Sequence, residues 1–124
     1  MNAPALPGLI VQPKRRKPRH EFDRYLTPKT AIDALLSSFP EIGGKRCLEA
    51  CSGGGVLSGV LSQRFTEVIT NDIDPNVGAG ISMDARKPAL YDAIRESGKS
   101  PDWMVTNPPF GCWSDIAFQA LDQG

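Results

Sequence analysis

The sequence predicts an α/β domain in which about four parallel strands form one sheet with flanking helices. Three observations predict this class. Short apolar stretches typical of strands alternate with stretches whose apolar residues recur at helical spacing. A glycine run or a polar residue follows each strand, as at the carboxyl ends of open α/β sheets. The chain has 124 residues, enough for one domain with a modest core. The strands are predicted at residues 46–50, 67–70, 81–83 and 102–106.

Helices are predicted between these strands and at both ends of the series. The first begins at Thr27-Pro28, where the Thr27 hydroxyl caps the helix and Pro28 occupies its first position. Its apolar residues recur at i, i+3, i+4 and i+7, and the pair Gly43-Gly44 lies beyond its end. That apolar face consists of Ile32, Leu35, Leu36 and Phe39. The later helices are predicted at residues 56–65, 90–96 and 114–122.

Composition and charge exclude several classes of protein. Hydrophobic residues make up 40% of the chain and charged residues 23%, as in ordinary globular proteins. No apolar run approaches the roughly 20 residues of a membrane span, and the first residues do not resemble a signal peptide. We therefore expect no membrane partner and a cytoplasmic location. The three cysteines lack the paired spacing of a metal site, so we expect no bound metal.

The chain divides into a basic N-terminal arm and a folded domain. Residues 1–21 contain four prolines and are predicted to be a flexible extension, and residues 22–124 form the domain. The net charge is zero, yet half of the 14 basic residues lie within residues 14–29. Such an arm suits contact with nucleic-acid phosphates, and it equally suits a solvated tail without a specific role.

A glycine-rich loop joins the first strand to the second helix. Its pattern is Glu49-x-x-x-Gly53-x-Gly55. Glycine lets the backbone turn tightly and lets a ligand approach it closely, and a following helix start suits a pyrophosphate or a carboxylate. Taken alone, the loop also fits a plain strand–helix connection.

Aspartates follow the second and third strands. Asp72 is placed to accept hydrogen bonds from both hydroxyls of a ribose, as in dinucleotide-binding folds. Asp74 is its rival, although the neighbouring Pro75 suggests that Asp74 caps a turn. Asp84 is placed either to accept a hydrogen bond from an adenine amino group or to cap a helix. Up to this point a nicotinamide-dependent oxidoreductase is still an open alternative.

Asn107-Pro108-Pro109-Phe110 follows the fourth strand and decides between these candidates. In this position the tetrapeptide resembles the signature of class I S-adenosylmethionine-dependent methyltransferases that methylate amino groups, and in particular of adenine-specific DNA methyltransferases. Upstream segments resemble further elements of that family in the same order, over roughly residues 22–115. They are Tyr25-Leu26-Thr27-Pro28, residues 48–55, Asp72 and Met83-Asp84-Ala85.

The resemblance implies a Rossmann-like methyltransferase sheet with strand order 3-2-1-4 and S-adenosylmethionine as the cofactor. It implies a catalytic role for Asn107, Pro108, Pro109 and Phe110. The residues that it implies for cofactor binding are Tyr25, Thr27, Pro28, Glu49, Cys51, Gly53, Gly55, Asp72, Asp84 and Asn107. The implied partner is nucleic acid, with adenine N6 of DNA as the target. Methyltransferases acting on RNA or on a protein glutamine carry the same tetrapeptide and stay open as alternatives.

The chemistry of amino methylation explains the residue types of the tetrapeptide. The lone pair of an amine on a heteroaromatic ring is delocalised into the ring, which makes the nitrogen a poor nucleophile. Two acceptors, the side-chain oxygen of Asn107 and the carbonyl of Pro108, favour a pyramidal nitrogen and strengthen as charge develops. The prolines fix the backbone. Phe110 offers a face on which a flipped base stacks.

The resemblance also exposes a difference. The family's sheet has further strands beyond the fourth, so the chain resembles the N-terminal half of such an enzyme. We therefore expect a complementing C-terminal half or a homo-oligomer as a partner. A cofactor-binding fragment without turnover is the corresponding alternative to an active enzyme.

Overall fold

A computed structural model describes residues 27–123 of the chain, and of Gln123 only the backbone. The basic arm and Tyr25 lie outside the described residues. The described chain is α/β, and it contains four helices, three strands and a 3₁₀ turn at Pro75–Val77. In chain order the helices and strands are α1 (Lys29–Ser38), β1 (Gly44–Glu49), α2 (Val56–Leu61), β2 (Phe65–Thr70), α3 (Pro88–Glu96), β3 (Trp103–Met104) and α4 (Trp113–Gln123).

The three strands form a parallel sheet in the order β2-β1-β3. β1 lies at its centre and pairs with β2 from Gly44 opposite Phe65 to Glu49 opposite Thr70. The prediction of a parallel sheet with flanking helices is confirmed. The prediction of four strands is wrong among the described residues, which contain three strands. Their order matches the predicted 3-2-1-4 without its third strand, because β3 is the predicted fourth strand.

The predicted third strand at residues 81–83 is reduced to a single parallel bridge between Asn71 and Ile81. The side chain of Asn71 explains this difference. Its amide donates to the carbonyl of Met83 (2.9 Å) and accepts from the Met83 backbone N–H (3.0 Å). Because a side chain occupies the backbone groups that a strand would pair, the ladder ends after one bridge.

Two predicted boundaries also move. The helix predicted over residues 56–65 ends at Leu61, and Phe65 opens β2. Arg64 lies in the turn between them, and its guanidinium donates to the carbonyls of Ile42 (2.9 Å) and Leu36 (3.2 Å). The fourth predicted strand, residues 102–106, is reduced to Trp103–Met104. The spacing of apolar residues does not reveal that the second helix ends at Leu61. An apolar Phe65 fits both a helix over residues 56–65 and the first position of β2.

The start of α1 differs from the expected cap. Pro28 is itself the N-cap residue, with φ −65° and ψ 141°, and no side chain caps the helix. Lys29 is the first helical residue. The Thr27 hydroxyl precedes the cap position and has a different partner, Asn107, which is described below.

The core lies on both faces of the sheet because successive residues of β1 point to opposite sides. Cys47 packs with buried residues of α1 and α2, and Leu48 packs with buried residues of α3 and α4. The first cluster includes Ile32, Leu36, Leu57, Leu61 and Phe65, and the second includes Leu90, Tyr91, Ile94 and Ile116. Burial raises the pKa of the Cys47 thiol to about 11, as expected of a cysteine packed as a small apolar residue. Within residues 27–123 no helix has the length and apolar character of a membrane span.

Candidate functional site

A cavity of about 380 Å³ opens at the carboxyl ends of the three strands. Its volume falls within the range of small-molecule sites. Seven of the residues predicted for the site line it: Thr27, Glu49, Cys51, Asp72, Asp84, Asn107 and Pro109. The glycine loop contributes Gly54, and α4 contributes Ile116. The strand order therefore brings together residues that lie far apart along the chain.

The glycine loop turns through left-handed backbone at Gly53 (φ 53°) and Gly55 (φ 89°). Gly55 is the N-cap residue of α2, and no atom beyond its neighbours lies within 4 Å of where its Cβ would be. Glycine is therefore favoured there by the positive φ and not by lack of space. The N–H of Gly53 donates to Asp72 Oδ2 at 2.8 Å, which ties the loop to the end of β2.

Asp72 is buried, with 5% of its surface exposed, and it lines the cavity next to the glycine loop. Its Oδ2 accepts from Gly53, and its Oδ1 accepts from the Asp74 N–H at 2.9 Å. Because each carboxylate oxygen has two lone pairs, each keeps capacity for one further donor. Asp72 can thus still accept from two hydroxyls, as the sequence predicted for a ribose.

Asp74, the other candidate for binding the ribose hydroxyls, caps a turn instead. Its Oδ1 accepts from the Asn76 N–H at 2.9 Å and caps the 3₁₀ turn at Pro75–Val77. It is not among the residues that line the cavity. The expectation that Asp74 caps a turn is confirmed.

Asp84 lines the cavity in a bidentate ion pair with Arg86. Its Oδ1 accepts from Arg86 Nε (2.9 Å) and from the Arg86 N–H (2.9 Å), and its Oδ2 accepts from Nη2 (2.8 Å). These hydrogen bonds with Arg86 lower the pKa of Asp84. The alternative that Asp84 caps a helix is wrong, because the N-cap residue of α3 is Lys87 and no side chain caps it. One lone pair of Oδ2 is left for a further donor.

Glu49, at the end of β1, carries a buried carboxyl group that links this strand to α2 and to the segment after β3. It accepts hydrogen bonds from the hydroxyls of Thr106 and Ser58. The Thr106 oxygen in turn accepts from the Cys51 N–H at 3.0 Å, so the network joins β1, the glycine loop and the segment after β3. Burial is the largest influence on Glu49 and, with the nearby Asp72 charge, outweighs these hydrogen bonds, raising its pKa to about 7.

Cys51 lines the cavity beside this network. Burial, followed by the proximity of Glu49, raises the pKa of its thiol to about 12. A thiol with such a pKa is protonated and unreactive at neutral pH. Cys51 therefore contributes a small apolar surface to the cavity wall, and its backbone N–H contributes to the Thr106 network.

Asn107 begins the Asn-Pro-Pro-Phe segment, two residues beyond Val105, whose N–H donates to Leu48 in β1. The Asn107 side-chain Nδ2 donates to Thr27 Oγ1 at 3.0 Å. Both residues line the cavity. The segment that precedes α1 and the end of β3 thus meet at one side of the site.

The remaining predicted residues are distributed unevenly. Pro109 lines the cavity, whereas Phe110 lies on the surface with 66% of its area exposed, next to the lining residues Gly111 and Cys112. Pro28 is exposed at the start of α1. Pro28, Gly53, Gly55 and Pro108 are not among the lining residues, and Tyr25 lies outside the described residues.

Sequence reasoning missed several residues of the site. Ile73 and Arg86 line the cavity, and Thr106 holds the hydrogen-bond network under it. A signal existed for two of them. Ile73 is an apolar residue between two acidic ones, and Thr106 is a polar residue at the end of an apolar strand. The contact between Arg86 and Asp84 has no sequence signal beyond their separation by one residue.

No group of three potential metal-ligating side chains occurs within residues 27–123. Neither a protein-family model nor a curated protein sequence matches the chain. The functional interpretation therefore depends on the cavity and on the chemistry of the residues around it.

Proposed function

We propose that this chain binds S-adenosylmethionine in the cavity and transfers its methyl group to an exocyclic amino nitrogen, with adenine N6 of DNA as the target. One observation carries the proposal: a single cavity is lined by the glycine loop, Asp72 and Asn107. A site for amino methylation requires a cofactor-binding loop and an acceptor for the target amine within reach of each other. The NAD alternative leaves Asn107 without a role.

The residues of the cavity fit the chemical parts of this cofactor. Asp72 keeps two lone pairs for the ribose hydroxyls, and Asp84 keeps one for the adenine amino group. Ile73 and Leu57 offer apolar surface for the adenine ring, and Glu49 supplies a carboxyl group suited to a cationic ligand. S-Adenosylmethionine supplies an electrophilic methyl group on a sulfonium when it is bound.

The chain's own contribution to the reaction is positioning and charge stabilisation. Asn107 Oδ1 and the Pro108 carbonyl accept hydrogen bonds from the target amino group, which directs its lone pair away from the ring. The positive charge that develops on the nitrogen strengthens both hydrogen bonds, so they stabilise the transition state more than the ground state. Exposed Phe110 stacks on the target base beside the cavity.

DNA is the proposed partner because the Tyr-Leu-Thr-Pro segment precedes the cofactor loop and Phe110 suits a flipped base. A cytoplasmic location goes with this substrate. RNA and a protein glutamine are the competing acceptors, and a direct comparison of the three substrates distinguishes them.

Calorimetry and methyl transfer together test the proposal. We expect S-adenosylmethionine to bind in preference to NAD, and radiolabelled methyl to be transferred to adenine of DNA isolated from methylation-deficient cells. A folded chain that binds neither cofactor contradicts the proposal. Preferential binding of NAD would instead restore the oxidoreductase interpretation.

A second candidate is a cofactor-binding module that requires another chain for turnover. The outer face of α4 favours it, because Trp113, Phe118 and Leu121 are 60%, 64% and 82% exposed. β3 is also short, and it pairs with β1 on one side. Cofactor binding without methylation of DNA, RNA or a glutamine peptide supports this candidate over the first.

A further inference from the structure

Thr27 and Asn107 lie 80 positions apart in the chain and contact each other at the cavity. We propose that Thr27 is a positioning residue, whose hydroxyl holds the Asn107 side chain at the cavity with Oδ1 free to accept from an amino group. The inference rests on the proposed methyl transfer, because the orientation matters only where an amino group must be accepted. It gives Thr27 a role other than capping α1 or packing on the cofactor.

The Asn107 amide needs an anchor because its two ends are chemically opposite. The oxygen accepts hydrogen bonds and the nitrogen donates them. With Nδ2 held at Thr27, at 3.0 Å, Oδ1 is the end left for an amino group in the cavity. After a rotation by half a turn the Thr27 hydroxyl would donate to Oδ1, and Nδ2 would present N–H groups to the N–H groups of the target, which is repulsive. The hydroxyl thus anchors the side chain, and the target amine favours the orientation with Oδ1 in the cavity. Asn107 is exposed, so water competes for both ends when the anchor is missing.

Thr27 is suited to act as the anchor because its own position is fixed. Pro28 follows it, and a residue before proline is restricted to extended backbone. The carbonyl of Pro28 accepts from the N–H groups of Ala31 (3.0 Å) and Ile32 (3.3 Å), and Ile32 is buried in the core with 1% of its area exposed. Because a β-branched side chain also has few χ1 rotamers, the hydroxyl is held in place with little freedom.

The backbone next to Asn107 is fixed independently of Thr27. The Thr106 hydroxyl donates to Glu49 and accepts from the Cys51 N–H, so the residue before Asn107 is held by β1 and the glycine loop. These backbone contacts leave the orientation of the Asn107 side chain free, and Thr27 restricts it. A substitution of Thr27 should therefore change the amide and leave the cavity floor intact.

Substitution at Thr27 tests the proposal through the separation of turnover from binding. Thr27→Val removes the hydroxyl at nearly constant volume, and we expect kcat for DNA methylation to fall about tenfold, the size of one hydrogen bond. The Kd for S-adenosylmethionine should stay within about twofold, and Thr27→Ser should restore kcat, because it keeps the hydroxyl. Thr27→Ala removes the same acceptor and replaces Thr27→Val if that variant does not fold. A parallel loss of cofactor affinity, or failure of Thr27→Ser to rescue, overturns the inference.

A double substitution separates orientation from other effects of Thr27. In an Asn107→Ala background no amide is left for Thr27 to position. We expect Thr27→Val to lower kcat by less than about twofold in that background. An equal loss in both backgrounds shows that Thr27 acts by another route and overturns the inference.

A measurement without turnover keeps this inference distinct from the proposed function. In the ¹⁵N-labelled chain, the side-chain NH₂ resonances of Asn107 are identified by their loss in Asn107→Ala. We expect them to move to solvent-exposed asparagine positions in Thr27→Val and to stay in place in Thr27→Ser. Unmoved resonances in Thr27→Val contradict the anchor itself. If the anchor is present and the chain methylates nothing, the proposed function fails and Thr27 has no reaction to assist.

Discussion

The two sides of the cavity are built differently. On the side of β1 and β2, Glu49, Ser52 and Asp72 are all buried, and Glu49 and Asp72 have hydrogen-bond partners on both carboxylate oxygens. On the side of β3 and α4, Asn107, Phe110 and Trp113 are exposed. The difference agrees with our proposal that the first side, which we call the prebuilt side, holds the cofactor and that the second, exposed side receives a larger partner. The predictions below test this division, from the largest effect to the smallest.

Asn107→Ala should separate the two sides most strongly. The substitution removes an acceptor that acts in the transition state, and removal of one such group from a preorganised site costs about 10²–10³ in kcat. Because Asp72, the proposed acceptor for the ribose hydroxyls, lies on the other side, the Kd for S-adenosylmethionine should change less than kcat. Single-turnover methylation and calorimetry on the same preparation measure both quantities. A loss of cofactor affinity as large as the loss of kcat would contradict the division.

Glu49 should make the stability of the prebuilt side depend on pH. Its pKa is about 7 in the folded chain against 4.5 for an unperturbed glutamate, so between these pH values the folded state holds a proton that the unfolded state has already released. The free energy of unfolding should therefore fall as the pH rises from about 4.5 to 7, by about 3 kcal/mol from this group. Denaturant unfolding across this range should show a flatter profile for Glu49→Gln.

Glu67 supplies the matched control for Glu49. It is half-buried on β2, and hydrogen bonds from Arg46 and Lys99 lower its pKa. Its contribution to stability has the opposite sign: it is present above the unfolded pKa and is lost as the pH falls. Glu67→Gln should thus leave the decline between pH 4.5 and 7 unchanged. Equal flattening in both variants would show that Glu49 is not the responsible group.

Asp72→Asn should weaken cofactor binding and the glycine loop together. An asparagine nitrogen at either oxygen position would face a backbone N–H, of Gly53 or Asp74, and leave that donor unsatisfied at a cost of about 1–3 kcal/mol. We expect the Kd for S-adenosylmethionine to rise up to about a hundredfold, within the same energy range. Asp92→Asn, at an exposed ion pair with Arg95, is the control and should change neither the cofactor affinity nor the glycine loop. Unchanged affinity in Asp72→Asn would remove Asp72 from the proposed cofactor site.

The sequence predicts the prebuilt side better than the exposed side, for physical reasons. β1, the positive-φ glycines and the turn capped by Asp74 depend on local rules that a few neighbouring residues satisfy. The lost third strand depends on the Asn71 side chain, which bonds to Met83 twelve positions away. No local sequence pattern shows whether an asparagine side chain will bond to the backbone of a neighbouring segment and so end the strand pairing there.

The contacts around Asn107 are harder still to predict. Its partner Thr27 lies 80 positions away, and the Glu49–Thr106 hydrogen bond spans 57. The Glu49–Thr106 contact arises because parallel strands β1 and β3 lie side by side and end at the same edge of the sheet. The Thr27 contact also requires the segment before α1 to reach this edge. Local rules predict that Thr27 caps α1. In the structure Pro28 is the N-cap residue, and the Thr27 hydroxyl instead accepts from the distant Asn107.

Phe110 and Phe118 offer the sharpest test of the exposed side, because their exposures are nearly equal at 66% and 64%. Phe110 adjoins the cavity-lining residues, whereas Phe118 lies on the outer face of α4. Stacking on one base is worth about 1–3 kcal/mol, so Phe110→Ala should raise the KM for DNA by about tenfold or more. The Kd for S-adenosylmethionine and the midpoint of unfolding should not change. If the exposed side receives a DNA base at the cavity, Phe118→Ala should leave the KM for DNA unaltered. Loss of activity in Phe118→Ala at low protein concentration, recovered at high concentration, would instead mean that a second polypeptide covers α4 and completes the site.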